Sequence, residues 1–271
     1  MKIFKNKVIL QKEISKDNYL SFVPTMGGLH KGHLSLIKKA KKYKCKICVS
    51  IFVNPTQFNK KNDFKNYPRN LKSDIKKLKK LKINYLFLPT YKDIYSFKTK
   101  NKVYLDKFST ELCGKFRKNH FKGVLNVVNR FLEIINPKYI FLGIKDFQQL
   151  ILIDRHIKKN NIRTKVIQCK TIREKNGVAC STRNLNLNNK ELIIASNIYK
   201  YLLNLNKKIK KNHKLFKVNN IKKVLISFGV TKIDYIENLK IKNFIKNRKL
   251  KYKFRLFFAY YINKIRLIDN I

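Results

Sequence analysis

The sequence predicts an α/β protein: a doubly wound domain built on a parallel sheet, followed by a smaller α+β domain. Three observations lead there. Short apolar runs recur without polar alternation, and each ends in a turn signal, as strands buried on both faces of a parallel sheet do. Segments of helical period separate these runs, so that strand and helix alternate. Beyond about residue 169 the character changes to a lysine-rich helical stretch and then to longer strand-like runs.

Taken in order, strands are expected in "YLSFVP", "KICVSIFVNP", "INYLFLPT", "KYIFLGIKD" and "TKVIQC". Between them, Leu71, Ile75, Leu78 and Leu81 make one apolar helical stripe. Val124, Val127, Val128, Phe131, Leu132 and Ile135 make a cleaner one, stopped by Asn136 and Pro137. The larger domain is expected over residues 1–169 and the smaller over 170–271, with residues 170–183 as the hinge. In the second domain, 190–226 reads as helical, with a helix and loop over 204–220. Strands are expected in "KIDYIENL" and "YKFRLFFAYYINKIRLIDN". No internal repeat is visible.

Charge is the loudest feature. Lys and Arg number 64 against 15 Asp and Glu, a formal net charge of +49, which invites a nucleic-acid reading. The lysines are spread along the whole chain, however ("KKAKKYKCK", "KKLKKLK", "KKIKKNHK", "NRKLKYKFR"), and no RNA-binding signature accompanies them. Lys, Asn, Ile, Tyr and Phe are enriched together and share A/T-rich codons, so a composition-biased, lysine-coated surface is the expectation, with no specific nucleic-acid partner. No apolar run approaches the roughly 18–20 residues of a membrane span, and the first residues lack the core of a signal peptide. A soluble, cytoplasmic protein without a membrane partner is expected. The five cysteines are scattered, and Cys45 and Cys48 of "CKIC" fall on a strand, where residues three apart face opposite ways and do not chelate one ion.

Glycine and proline are scarce, at eight and five, so those present mark backbone geometry. Turns are expected at Pro24, Pro55, Pro68, Pro89 and Pro137, and at glycines 27, 28, 32, 114, 123, 143 and 177. The densest such stretch is "VPTMGGLHKGHLSLI", residues 23–37, which reads as strand, glycine turn, helix. In an open α/β sheet, ligands bind beyond the carboxyl ends of the strands, where glycines let backbone approach a phosphate and a helix N-terminus offers N–H groups. His30 and His33, three apart at that terminus, can meet one ligand and donate to charge developing on an α-phosphate.

The "HKGH" of this stretch resembles the H-x-G-H signature of the nucleotidylyltransferases and class I synthetases, which are Rossmann-like in fold. The longer "PTMGGLHKGH" resembles a narrower group, the pantothenate synthetase (pantoate–β-alanine ligase) family. "VSIFVNPTQF", "YPRNLKSD", "FRKNHFKGVLNVVNRF", "FLGIKDFQQL", "IREKNGVACSTRN", "KIDYIENL" and "RLIDN" follow in the family's order, over nearly the full chain.

The resemblance implies an ATP-dependent ligase joining pantoate to β-alanine through pantoyl-adenylate, with Mg2+ on the phosphates, in a homodimer whose smaller domain closes over ATP. Residue by residue, it places Met26, Gly27, Gly28, Leu29, His30, Lys31, Gly32 and His33 along the ATP site, with His33 and His30 catalytic. Gln57 and Gln149 would hold pantoate or β-alanine, since an amide both donates to a carboxylate and accepts from hydroxyls. Gly143, Ile144, Lys145 and Asp146 would serve ATP, Ile172 would touch adenosine, and Cys180, Ser181, Thr182 and Arg183 would close over the phosphates. Asp74 is a candidate partner of the metal, and His120 in "RKNHF" a candidate for a direct role. The chain departs from the family pattern in three places: "RKNHF" lacks Pro-Gly, Ile144 stands where glutamate is usual, and Thr182 where a second serine is usual. Two other readings compete. An adenylyltransferase of the same superfamily would want arginine or lysine for a phosphorylated acceptor where Gln57 and Gln149 stand. A basic nucleic-acid-binding protein would have no need of the glycine turns.

Overall fold

The computed structural model describes residues 1–17, 19–59, 61–241, 244 and 254–271. Among the described residues, contacts divide the chain into two units: residues 1–144 with 148–170, and residues 145–147 with 171–271.

The first unit carries, in chain order, β1 (Lys2–Phe4), α1 (Lys7–Ile14), β2 (Leu20–Thr25), α2 (Lys31–Ala40), β3 (Lys46–Ile51), α3 (Lys61–Lys65), α4 (Leu71–Lys80), β4 (Tyr85–Phe87), α5 (Tyr91–Tyr95), α6 (Cys113–Phe116), α7 (His120–Ile135), β5 (Tyr139–Gly143), α8 (Phe147–Lys159, whose first residue groups with the second unit) and β6 (Lys165–Cys169). The six strands form one parallel sheet in the order β1-β4-β3-β2-β5-β6. The five expected strands are present. β1 was not expected, because three residues pairing with β4 are too short to show a period.

Successive side chains of a strand alternate between faces, and the sheet is covered on both. Phe22 of β2 and Phe87 of β4 meet Phe131 of α7, whose stripe of Val124, Val127, Val128, Phe131, Leu132 and Ile135 is buried throughout. On the other face, Val23, Val49, Leu86 and Phe141 pack with Leu36, Ile37 and Ala40 of α2 and Leu78 of α4. Burying one such side chain stabilises the fold by about 1.5–3 kcal/mol. α4 differs from its expected stripe: Leu71 is 45% exposed, whereas Asp74 is buried.

The strand order reverses between β2 and β5, the switch point where such sheets open a crevice. Pro24 helps to open it. Thr25 directs its carbonyl to β3, accepting from Phe52, so the residue before it faces β5. Pro24 has no N–H to offer there, and the β2–β5 pairing accordingly ends at Phe22.

Two expectations about glycine need correction. Gly32 lies in α2, Gly114 in α6 and Gly123 in α7, not in turns, while Gly229, which was not among the expected turn glycines, has φ +105°. Gly123 serves a close approach instead. A Cβ there would lie 2.3 Å from the Thr56 carbonyl oxygen and 2.9 Å from the Gln57 nitrogen.

The second unit contains α9 (Asn189–Lys211), α10 (Val218–Ser227), β7 (Lys232–Lys240), β8 (Phe254–Ile262) and β9 (Ile265–Asn270). The strands pair as an antiparallel sheet, β7-β8-β9. Leu256, Phe258, Tyr260 and Ile262, at alternate positions of β8, pack against Ile198 and Leu202 of α9 and Ile221 and Leu225 of α10. Tyr252 and Lys253 of the expected strand lie outside the described residues.

Candidate active site

β2 runs out at Thr25, whose hydroxyl donates to the Ser50 carbonyl (2.7 Å) and accepts from the Gly27 N–H (3.3 Å). Gly27 and Gly28 then take φ of +81° and +61°, in the left-handed region that glycine adopts without strain. The Gly28 and Leu29 N–H groups donate to Oδ2 and Oδ1 of Asp74, each at 2.8 Å. Here the structure differs from expectation. Those two amides do not wait for a phosphate: they are turned inward onto a carboxylate that is 1% exposed. Asp74, in turn, has a backbone N–H on each oxygen. Lys77, one turn further along α4, donates to the Leu29 carbonyl (2.6 Å).

The next residues start α2. His30 is its N-cap, and the two histidines build the cap between them: the Gly32 N–H donates to Nδ1 of His30 (3.1 Å), and the His30 N–H to Nδ1 of His33 (3.4 Å). The rings lie 4.1 Å apart at their centroids. Because each Nδ1 accepts, each neutral ring carries its proton on Nε2 and donates from there.

At the end of β3, Gln57 is held from three directions. Its side chain lies against the Met26 sulfur and accepts from Asn54 Nδ2 (3.3 Å). Its carbonyl accepts from His120 Nδ1 (2.7 Å) and Arg117 Nη2 (3.3 Å). With Nδ1 donating, His120 Nε2 is the acceptor for Arg117 Nη1 (2.8 Å). His120 thus braces Gln57, and Asn119 of "RKNHF", where the family pattern has Gly, takes φ +61°. Sequence reasoning missed Asn54. It is 1% exposed, donates to the Gly123 carbonyl, and accepts from Thr56 and from Tyr95 OH (2.9 Å). Its place before Pro55, as the cap of the short helix Pro55–Gln57, was the available signal. At the end of β5, no atom of the described residues other than its chain neighbours lies within 4 Å of where a Gly143 Cβ would sit. Gln149 is half-buried on the first turn of α8, next to the buried Gln148.

The remaining candidates belong to the second unit. Residues 172–180 fold back on themselves: the Cys180 N–H donates to the Ile172 carbonyl (2.9 Å), Arg173 bridges Ala179, and Gly177 makes the turn at φ +88°. Arg173 grips Asp269 with both guanidinium nitrogens (2.5 and 3.2 Å), pinning this hairpin to β9. Cys180 is buried, with its thiol on Glu174 (3.1 Å). Ser181 then caps the short helix Thr182–Asn186, in which Thr182 is buried. Lys145, Ser181 and Arg183 line one narrow cavity of this unit, walled by Tyr199 and Tyr260. Lys145 lies 3.4 Å from Asp146 and is anchored through its carbonyl by Asn270 Nδ2 (2.8 Å).

A family model described as pantoate-beta-alanine ligase matches residues 2–271. The chain belongs to the pantoate–β-alanine ligase family. It is 38% identical over 269 residues to the pantothenate synthetase of Flavobacterium psychrophilum, covering 98% of this chain and 95% of that one. It is 40% identical over 263 residues to that of Francisella philomiragia, covering 97% and 92%. Among solved structures, the pantoate–β-alanine ligase of Francisella tularensis, complexed with β,γ-ATP and β-alanine, superposes with a TM-score of 0.85 at 38% identity, over 100% of this chain and 97% of that one. The pantothenate synthetase of Thermus thermophilus gives 0.87 at 27% identity, over 100% and 99%. As a pantoate–β-alanine ligase the chain is an enzyme, and it performs ATP-dependent ligation of pantoate to β-alanine. Among the described residues, no helix is long and apolar enough to cross a membrane.

Proposed function

We propose that the ligation runs in two steps, with adenylation first. A pantoate carboxylate oxygen attacks the α-phosphorus of ATP, the bond from that phosphorus to the bridging oxygen breaks, and diphosphate leaves. The amine of β-alanine then attacks the acyl carbon of pantoyl-adenylate, the bond to AMP breaks, and the amine's proton passes to solvent. Magnesium enters as MgATP, a substrate metal that neutralises the phosphates.

The observation that carries this reading is the mutual capping of His30 and His33. It fixes both rings as Nε2–H donors at the sheet's switch point, suited to charge developing on an α-phosphate. Gln57, just after β3, and Gln149, on α8 just after β5, follow the two strands that flank β2 and take the neutral hydroxy acid. A phosphorylated acceptor would be poorly matched by two amides. In the second unit, Lys145, Ser181 and Arg183 take phosphate oxygens, a reading supported by the cavity they share. Thr182 on the phosphates, Asp146 on the ribose hydroxyls and Ile172 on the adenosine are supported by the family pattern alone. Gly143 and the backbone of residues 26–33 line the nucleotide. The homodimer and the cytoplasmic setting that the resemblance implies belong to the same reading.

Diphosphate–ATP isotope exchange tests the order of events. With pantoate, ATP and magnesium but no β-alanine, label is expected to enter ATP. Exchange that appears only after β-alanine is added would rule out a free-standing adenylation step.

A further inference from the structure

α4 holds the Leu29 peptide from both ends. Asp74 takes the Gly28 and Leu29 N–H groups at 2.8 Å each, and Lys77, three residues on along the same helix, donates to the Leu29 carbonyl at 2.6 Å. Leu29 is 2% exposed and is followed directly by His30. A buried carboxylate is costly unless it is fully hydrogen-bonded, and hydrogen bonds to charged groups are roughly twice as strong as neutral ones. The space is tailored to the carboxylate: a Cβ on Gly27 would meet Asp74 Oδ2 at 3.2 Å and Ile51 at 3.1 Å.

We propose that Asp74 and Lys77 are positioning residues for adenylation: α4 clamps the backbone from which the His30–His33 pair projects and so sets where the two Nε2–H donors lie. The inference rests on the assignment of those histidines to the α-phosphate. Asp74, the candidate metal partner of the sequence reading, has each carboxylate oxygen engaged by a backbone N–H group and is assigned here to the backbone; Lys77 is not assigned to substrate. The clamp therefore acts on the turnover of the adenylation step and leaves pantoate binding alone. Asn cannot replace Asp74, because its amide group would present N–H to one of the two backbone N–H groups. Displacement of a catalytic group by about 1 Å is worth on the order of 100-fold in rate.

The test is pantoate-dependent diphosphate–ATP exchange by the full-length enzyme in five forms: unaltered, Asp74→Asn, Lys77→Met, His33→Ala and the Asp74→Asn/His33→Ala double variant. Asp74→Asn is expected to lower the maximal exchange rate about 100-fold with the pantoate KM unchanged. Lys77→Met, which loses one bond at a half-buried end, is expected to lower it about tenfold. The decisive measurement is the cycle. If Asp74 works through the histidines, the double variant falls little below His33→Ala alone. Multiplying losses, or a pantoate KM that rises with the fall in rate, overturn the proposal, as does Asp74→Asn turning over normally with only a lowered Tm. Should Asp74→Asn fail to fold, Lys77→Met and its own cycle with His33→Ala carry the same outcomes. A His33→Ala enzyme with normal exchange would refute the histidine assignment and the clamp with it. A crippled His33→Ala beside a normal Asp74→Asn would refute only the clamp.

Discussion

His33 accepts the His30 backbone N–H through Nδ1 while its ring lies 4.1 Å from that of His30, so each histidine helps to fix the other's orientation. The two are one device, and their losses are not expected to add. His33→Ala should lower turnover by about 10²–10³-fold, as does removal of a donor to transition-state charge. His30→Ala should do the same, and the double variant should be little worse than either single one. Steady-state assays of the three decide it. Near-normal turnover in His33→Ala would make the pair a helix cap and nothing more.

Gly143 offers a cleaner probe of the nucleotide side. Apart from its own chain neighbours, no atom of the described residues lies within 4 Å of where its Cβ would sit, so packing among them does not demand glycine there. Gly143→Ala is expected to unfold at the wild-type temperature and to raise the KM for ATP. A variant with a lowered Tm and an unchanged KM would place the demand for glycine in the fold and remove Gly143 from the ATP site.

Two adjacent glutamines should behave in opposite ways. Gln148 is 6% exposed, donates to the Phe108 and Glu111 carbonyls (2.6 and 2.7 Å) and accepts from the Cys113 N–H (3.0 Å). Gln148→Ala removes three hydrogen bonds from the interior and should cost about 0.5–1.5 kcal/mol for each bond lost. Gln149→Ala should leave stability within about 0.5 kcal/mol and weaken pantoate far more than ATP. Denaturation midpoints and the two KM values, measured on both variants, separate the roles. Equal losses of pantoate and ATP in Gln149→Ala would move that residue out of the pantoate pocket.

The sequence made some of this plain and hid the rest, for physical reasons. A parallel strand is buried on both faces, so β2 to β6 stood out as apolar runs, whereas β1 spans only three residues and has no period to read. The glycine turn was legible because only glycine takes φ of +81° and +61° in succession without strain. What satisfies that turn was not. Asp74 lies 45 residues from Leu29 and read only as a candidate partner of the metal; nothing local marks it as buried. Gly123 likewise read as a turn because its reason, the Thr56 carbonyl, is a tertiary contact. Asn54 was hidden by the same distance from Tyr95 and Gly123. Local conformation is written in local sequence; partners far along the chain are not.

His156 gives the fold a dependence on pH that can be measured apart from catalysis. It is fully buried, with Nδ1 accepting from the Tyr104 N–H (3.2 Å) and Nε2 donating to Asn129 Oδ1 (3.0 Å). Asn129 is oriented for this by its own donation to the Asn101 carbonyl (2.9 Å). Burial holds the imidazole below its ordinary value of 6.5, and the charge of Glu133 opposes this only in part. A proton on Nδ1 would also face the Tyr104 N–H, donor against donor. The unfolded chain therefore binds a proton at this position at higher pH than the folded one. The contribution is complete above about 6.5 and is lost as pH falls from there through the folded-state value. Urea midpoints measured from about pH 7.5 down to about pH 5.5, above the range where carboxylates dominate, should fall for the wild-type enzyme. His156→Gln should be less stable at the upper end but lose less on acidification. Equal slopes for the two proteins would show that His156 is not the group responsible.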